Sequence, residues 1–245
     1  MSLVVREDRD GWVLLTLNRP EKLNALTVDM FRELRAHIEA LRTDKAIGCV
    51  VLRGAGRCFS AGHDLADIAG GEATPSRGWH SETLLMLERL PQPVIAAVHG
   101  HCFTGALEVA LACDFIVAAA DAKFADTHAK WALAPIWGMS QRLPRRVGIA
   151  TAKRLSFTAE TIDAHEALRI GLAEAVFPVD SFDAGVEALA RQITANSAFT
   201  HAANKRLLQA TDGMTLVAGL QWEVLECEGV GPDAPDRIAA FTGKK

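Results

Sequence analysis

A mixed α/β (α+β) architecture is what this sequence predicts, and three observations predict it. Short apolar runs of strand type recur in the first two fifths of the chain, at residues 3–6, 12–17, 48–52 and 93–98. Stretches with apolar residues at helical spacing separate them, the alternation of an α/β core. From Ser181 onward the pattern is helical alone. The chain therefore divides, at a soft boundary, into a core of residues 1–182 and a helical region of residues 183–245.

With 245 residues, 49% hydrophobic and 23% charged, the chain has ample material for one buried core without help from metal or disulfide. The net charge of −4 comes with no basic block, which argues against nucleic acid or a membrane surface as partner and for small-molecule chemistry. Five cysteines, Cys49, Cys58, Cys102, Cys113 and Cys227, are odd in number and scattered, as reduced thiols are. The first residues show no basic segment followed by an apolar one, and no apolar stretch reaches membrane-spanning length. A cytoplasmic location is the expectation.

In order along the chain, residues 3–6 and 12–17 read as a β-hairpin closed by Asp8-Arg9-Asp10-Gly11. Thr27 is placed to cap a helix whose Met30, Phe31, Leu34, Ile38 and Leu41 share one face. Residues 48–52 then form a buried strand that runs into Gly54-Ala55-Gly56. Those two glycines suggest the start of a dinucleotide fingerprint, but Phe59 occupies the third glycine's place and no long helix opens there. Ser60 and His63 are three apart in a loop without a nucleophile-elbow pattern, so a serine hydrolase is also excluded. The loop instead offers a backbone N–H, that of His63, with its side chain incidental.

The strand at 93–98 leads through Gly100 to Gly105, where a helix apolar nearly all round begins, yet Glu108 sits in its first turn. A carboxylate in such surroundings is costly unless it is partnered or working. The free N–H groups at the helix start suit a developing anion, which makes Gly105 a candidate oxyanion donor. His99, His101, Cys102, Cys113 and His128 match no standard zinc spacing, and no metal is expected. Residues 140–147 read as a short basic segment interrupted by Pro144, residues 150–157 and 164–170 as helices, and 174–178 as a closing strand. Beyond them, residues 188–193, 202–208 and 214–225 read as helices.

Four motifs now stand in order: Leu17-Asn-Arg-Pro-Glu-Lys-Leu-Asn-Ala-Leu26, Phe59-Ser-Ala-Gly-His-Asp-Leu65, Gly105-Ala-Leu-Glu-Val-Ala-Leu-Ala-Cys-Asp114 and Gln141-Arg-Leu143. In this register the chain resembles the crotonase (enoyl-CoA hydratase/isomerase) superfamily over nearly its whole length. The resemblance implies a crotonase-like spiral of ββα units and a C-terminal helical region that packs homotrimers or dimers of trimers. It implies an acyl-CoA thioester as substrate, with CoA entering as part of it and no permanently bound cofactor.

By the same resemblance the backbone N–H groups of His63 and Gly105 form the oxyanion hole, and Glu108 is one of two catalytic glutamates. His128 stands where the second glutamate is found, as a working acid or base or merely filling the place. Lys22, Ala25, Ala61, Asp64 and Leu65 would lie along the CoA, and Trp131 and Trp137 at the acyl end. Thr104 and Ala106 depart from the glycines common around Gly105. Enoyl-CoA hydration or isomerisation is the leading implication. A β-ketoacyl-CoA hydrolase or decarboxylase and a non-catalytic acyl-CoA-binding protein are the alternatives.

Overall fold

A computed structural model describes residues 2–243. The chain runs through β1 (Val4–Asp8), β2 (Trp12–Leu17), α1 (Val28–Leu41), β3 (Cys49–Gly54), α2 (Leu65–Gly70), α3 (Trp79–Glu88), β4 (Val94–Val98), β5 (His101–Phe103) and α4 (Gly105–Leu111). It continues through β6 (Phe115–Ala119), β7 (Lys123–Ala125), α5 (Met139–Val147), α6 (Ile149–Thr158), β8 (Ile162–Asp163), α7 (Ala164–Arg169) and β9 (Ala175–Phe177). Helices α8 (Phe182–Thr194), α9 (Ala198–Thr211), α10 (Leu216–Glu226) and α11 (Ala234–Thr242) follow.

The main sheet has the order β1-β2-β3-β4-β6-β9, parallel except for the β1–β2 hairpin. A second sheet, β5-β7-β8, lies beside it. Successive units step from one sheet to the other: β4 turns at Gly100 into β5 and then α4, and β6 turns into β7. Isolated parallel bridges, Leu26 with His63 and Ser60 with Cys102, extend the same stepping to the earlier units. This is the stacked ββα arrangement that the resemblance implies.

Strand alternation decides what covers each face. Val13, Leu15 and Leu17 of β2 join the core under α1, with Phe31, Leu34 and Ile38 opposite them. Trp12 and Leu14 face the other way, onto Phe182, Val186, Ala190 and Ile193 of α8. Helix α8, which lies just past the boundary expected at residue 182, covers this face of the sheet, because burial on both faces is what a parallel sheet requires. The helices after it leave many large apolar side chains open, with Leu208, Leu216, Val224, Leu225 and Phe241 all more than 70% exposed. Helix α9 is pinned to the core by Lys205, which donates to Asp114 Oδ2 at 2.6 Å and to the carbonyl of Gln92 at 3.0 Å.

Thr27 caps α1 as its position predicts, accepting from the Met30 N–H at 3.2 Å. Gly54 is structural: a Cβ there would meet the carbonyls of Cys58 and Phe59 at 2.2 Å. Residues 140–147, expected as an interrupted segment, are helical through Pro144 in α5. Proline forfeits one helical hydrogen bond, a loss that the packing of the buried Met139 and Leu143 outweighs. All five cysteines are free, and four are buried.

Candidate active site

The loop that precedes α4 is built under strain. Thr104 holds φ 51° and ψ −108°, a conformation costing a non-glycine residue on the order of 1–3 kcal/mol. Three contacts hold it there: its N–H donates to the Ala125 carbonyl at 2.8 Å, its hydroxyl accepts from the Thr127 N–H at 3.0 Å, and the two threonine hydroxyls bond directly. Gly105 opens α4 directly after this turn, its N–H outside the helical hydrogen bonds. The N–H of His63 stands nearby, since a Cβ added to Gly105 would lie 3.2 Å from it. Among the described residues neither N–H donates to a protein acceptor.

Glu108, one turn into α4, is 2% exposed. Its Oε1 accepts from the N–H of Trp137 at 3.1 Å and of Met139 at 2.9 Å, which ties the loop before α5 to α4. Its Oε2 lies 3.8 Å from His128 Nε2. Burial, the largest influence, pushes its pKa up to about 7 against the opposing backbone hydrogen bonds and His128. Asp126, 2% exposed, accepts from His128 Nδ1 at 2.7 Å and from the His128 N–H at 3.2 Å. Burial alone would lower His128, but Asp126 and Glu108 outweigh it and raise its pKa. Asp126 itself is lowered despite burial, by His128 and the Ser156 hydroxyl. The line Asp126–His128–Glu108 thus fixes the imidazole, with Nε2 turned to the glutamate.

Glu108 and His128 line one cavity of about 310 Å³ together with His63, Ile68, Glu72, Gly105, Ile136 and Trp137. Of the residues expected there, Glu108, His128, His63, Gly105 and Trp137 are brought together. Trp131 is not: it is 54% exposed and does not line the cavity. It ends the short 3-10 turn His128–Trp131, and Ala132, at φ 54°, then reverses the chain so that Leu133, Ala134, Ile136 and Trp137 face inward instead.

The two segments expected along the CoA do run together. The Ala61 N–H donates to the Leu23 carbonyl and the Leu26 N–H to the Gly62 carbonyl, leaving Ala25 and Ala61 half-buried side by side and Lys22 and Leu65 exposed. Buried Asn24 holds this loop by donating to the carbonyls of Ala55 and Cys58. Asp64 is committed within the protein, capping α2 through Ala66 and paired with Arg19, so its task is to shape the loop.

Asp126 escapes sequence reading, although an acid two places before His128 within a buried strand end is the signal that would have found it. Glu72, which meets the His63 ring at 2.8 Å, gives no such signal.

The sequence profile described as enoyl-CoA hydratase/isomerase matches residues 7–228. A short-chain-enoyl-CoA hydratase of Clostridium acetobutylicum is 31% identical over all of this chain and 96% of its own, and a crotonyl-CoA hydratase of Syntrophomonas wolfei 34% identical over 78% and 75%. The crystal structure of an enoyl-CoA hydratase from Bacillus anthracis superposes with a TM-score of 0.93 at 32% identity, covering 99% of this chain and 97% of that one. A Thermobifida fusca protein in complex with acetoacetyl-CoA superposes at 0.84 with 30% identity, covering 92% and 93%. With a profile match across most of its length, the chain belongs to the enoyl-CoA hydratase/isomerase family.

Proposed function

We propose that this acyl-CoA enzyme hydrates an enoyl-CoA thioester, or shifts its double bond, through an enolate held by the His63 and Gly105 amides. The observation that carries the reading is the buried Glu108 lining one cavity with His63 and Gly105, beside an imidazole that Asp126 orients. Two fixed N–H donors stabilise the negative charge that reaches the thioester oxygen when water adds at C3, the dominant electrostatic effect in such reactions. The proton balance needs one base and one acid: a proton leaves the water as its oxygen bonds to C3, and another reaches C2. Burial raises Glu108 to about 7, and Asp126 with Glu108 raises His128 against burial, so one partner can take the water's proton while the other gives one to C2. No permanently bound cofactor is invoked, because CoA arrives with the substrate.

Crotonyl-CoA is the test substrate, followed by loss of the enoyl absorbance. The expected kcat/KM profile is bell-shaped around neutrality: on the acid side the pair gains a second proton and no base remains, and on the alkaline side it loses the last proton that C2 needs. Turnover confined to acetoacetyl-CoA would replace this reading with β-keto thioester hydrolysis or decarboxylation. Tight binding of both without turnover would leave an acyl-CoA-binding protein.

The reading includes a homotrimer, single or paired, and a cytoplasmic location. Supporting assembly, α9–α11 present Leu208, Leu216, Val224, Leu225 and Phe241 to solvent, more apolar surface than a monomer usually leaves open. Light scattering is expected to give three or six times the chain mass of 26.4 kDa, and a monomer at micromolar concentration would refute it. Supporting the location, four of the cysteines are buried thiols, and burial holds Cys49 and Cys113 at a pKa of about 12, well away from reactivity.

A further inference from the structure

A second cluster of titratable groups stands at the cavity and takes no part in the chemistry above. Glu72 Oε2 lies 2.8 Å from His63 Nε2, and its Oε1 lies 3.9 Å from His80 Nδ1. Glu72 and His63 both line the cavity. His80 is packed behind them, 4% exposed, and its Nε2 is buried with no partner among the described residues. The Trp137 ring lies against both imidazoles, with centroids 4.6 Å from His63 and 4.7 Å from His80. Around this polar patch the wall is apolar, formed by Ile68, Leu133, Ala134 and Ile136.

A carboxylate only accepts, so in the neutral ring the short contact to Glu72 places the His63 proton on Nε2 and leaves Nδ1 as an acceptor. Among the described residues Nδ1 has no hydrogen-bond partner. His63 Nδ1 is not among the buried atoms left without a partner, so it is accessible on a residue that lines the cavity, and a lone acceptor there can be met by a ligand's donor. The imidazole hangs from the residue whose own N–H faces the thioester oxygen. It therefore addresses the first carbons beyond the thioester and not the distal end of a long chain.

Resting on the acyl-CoA reading of the same site, we propose that His63 and Glu72 form a hydroxyl-recognition subsite, and that the preferred acyl group carries a hydroxyl on C4. The hydroxyl donates to His63 Nδ1, Glu72 fixes the ring tautomer that accepts it, and Trp137 holds the ring in place. His63 then serves the substrate twice, through its backbone at the thioester and through its side chain on the acyl group.

Calorimetric titration with two saturated thioesters, 4-hydroxybutyryl-CoA and butyryl-CoA, tests this without requiring turnover. The hydroxylated ligand is expected to bind about tenfold tighter, the worth of roughly one net hydrogen bond. His63→Phe keeps a ring against Trp137 and removes both nitrogens, and should bring the ratio of the two affinities to about one. Glu72→Leu, at a position outside the hydrophobic core, should lower the ratio by freeing the tautomer. Equal affinities in the unaltered protein, or a preference that survives His63→Phe, would overturn the proposal. A protein that discriminates by the hydroxyl yet fails on crotonyl-CoA would lose the hydratase reading and keep this one, whereas failure to bind either thioester would sink both.

Discussion

Replacing Glu108 with glutamine is expected to lower turnover of the enoyl thioester by about two to four orders of magnitude while the protein stays folded. The shape is kept, and the glutamine oxygen can still accept from the Trp137 and Met139 amides that now bond Oε1. What disappears is proton exchange. Burial pushes the Glu108 carboxyl to about 7, where it gives and takes protons readily, whereas an amide does neither. The amide NH2 would also face His128 Nε2, where Oε2 now stands at 3.8 Å, and the pair could no longer share a proton. Unchanged melting with rates down at least a hundredfold is the expected pattern, and full activity on the true substrate would remove the mechanism at its centre.

How much of this was legible in the sequence depended on how far apart the cooperating residues lie. Glu108 stood out because a single acid within an all-apolar helix start is anomalous by itself, and its burial bears that out. The hairpin and the Thr27 cap depend on neighbours a few places away and came out as read. Strand β5 is three residues within a His-Gly-His-Cys stretch, and β8 is two, too short for any period to show. Trp131 and Trp137 are equivalent as letters. Only the reversal at Ala132 decides that one faces solvent and the other the cavity. The Glu72–His63 contact spans nine residues of turn and short helix, and it exists because α2 folds back over the loop.

Substitution at Gly105 should cost about as much as the loss of Glu108, and by a different route. A Cβ at this position would sit 2.6 Å from Trp137 Cζ3 and 3.2 Å from Cε3, and 3.2 Å from the His63 nitrogen. The clash falls on a ring that cannot easily withdraw, since Trp137 is 3% exposed and packed on Phe31 at 4.9 Å as well as on the two histidines. If Trp137 yields, its backbone N–H draws away from Glu108; if α4 yields, the Gly105 N–H leaves the position that the strained Thr104 aims it to. Either movement damages the enolate site, and losing one oxyanion donor alone costs about a hundredfold to a thousandfold. Gly105→Val is therefore expected to reduce kcat by about a hundredfold or more, and Gly105→Ala nearly as much, because the clash begins at the first carbon. The two routes separate in the double variant Gly105→Ala with Trp137→Leu, which removes the clashing ring. Recovery of rate there would assign the loss to Trp137, while persistence would assign it to the amide. A single Gly105→Val that turns over within a few-fold of the unaltered protein would show that this N–H does not hold the thioester oxygen.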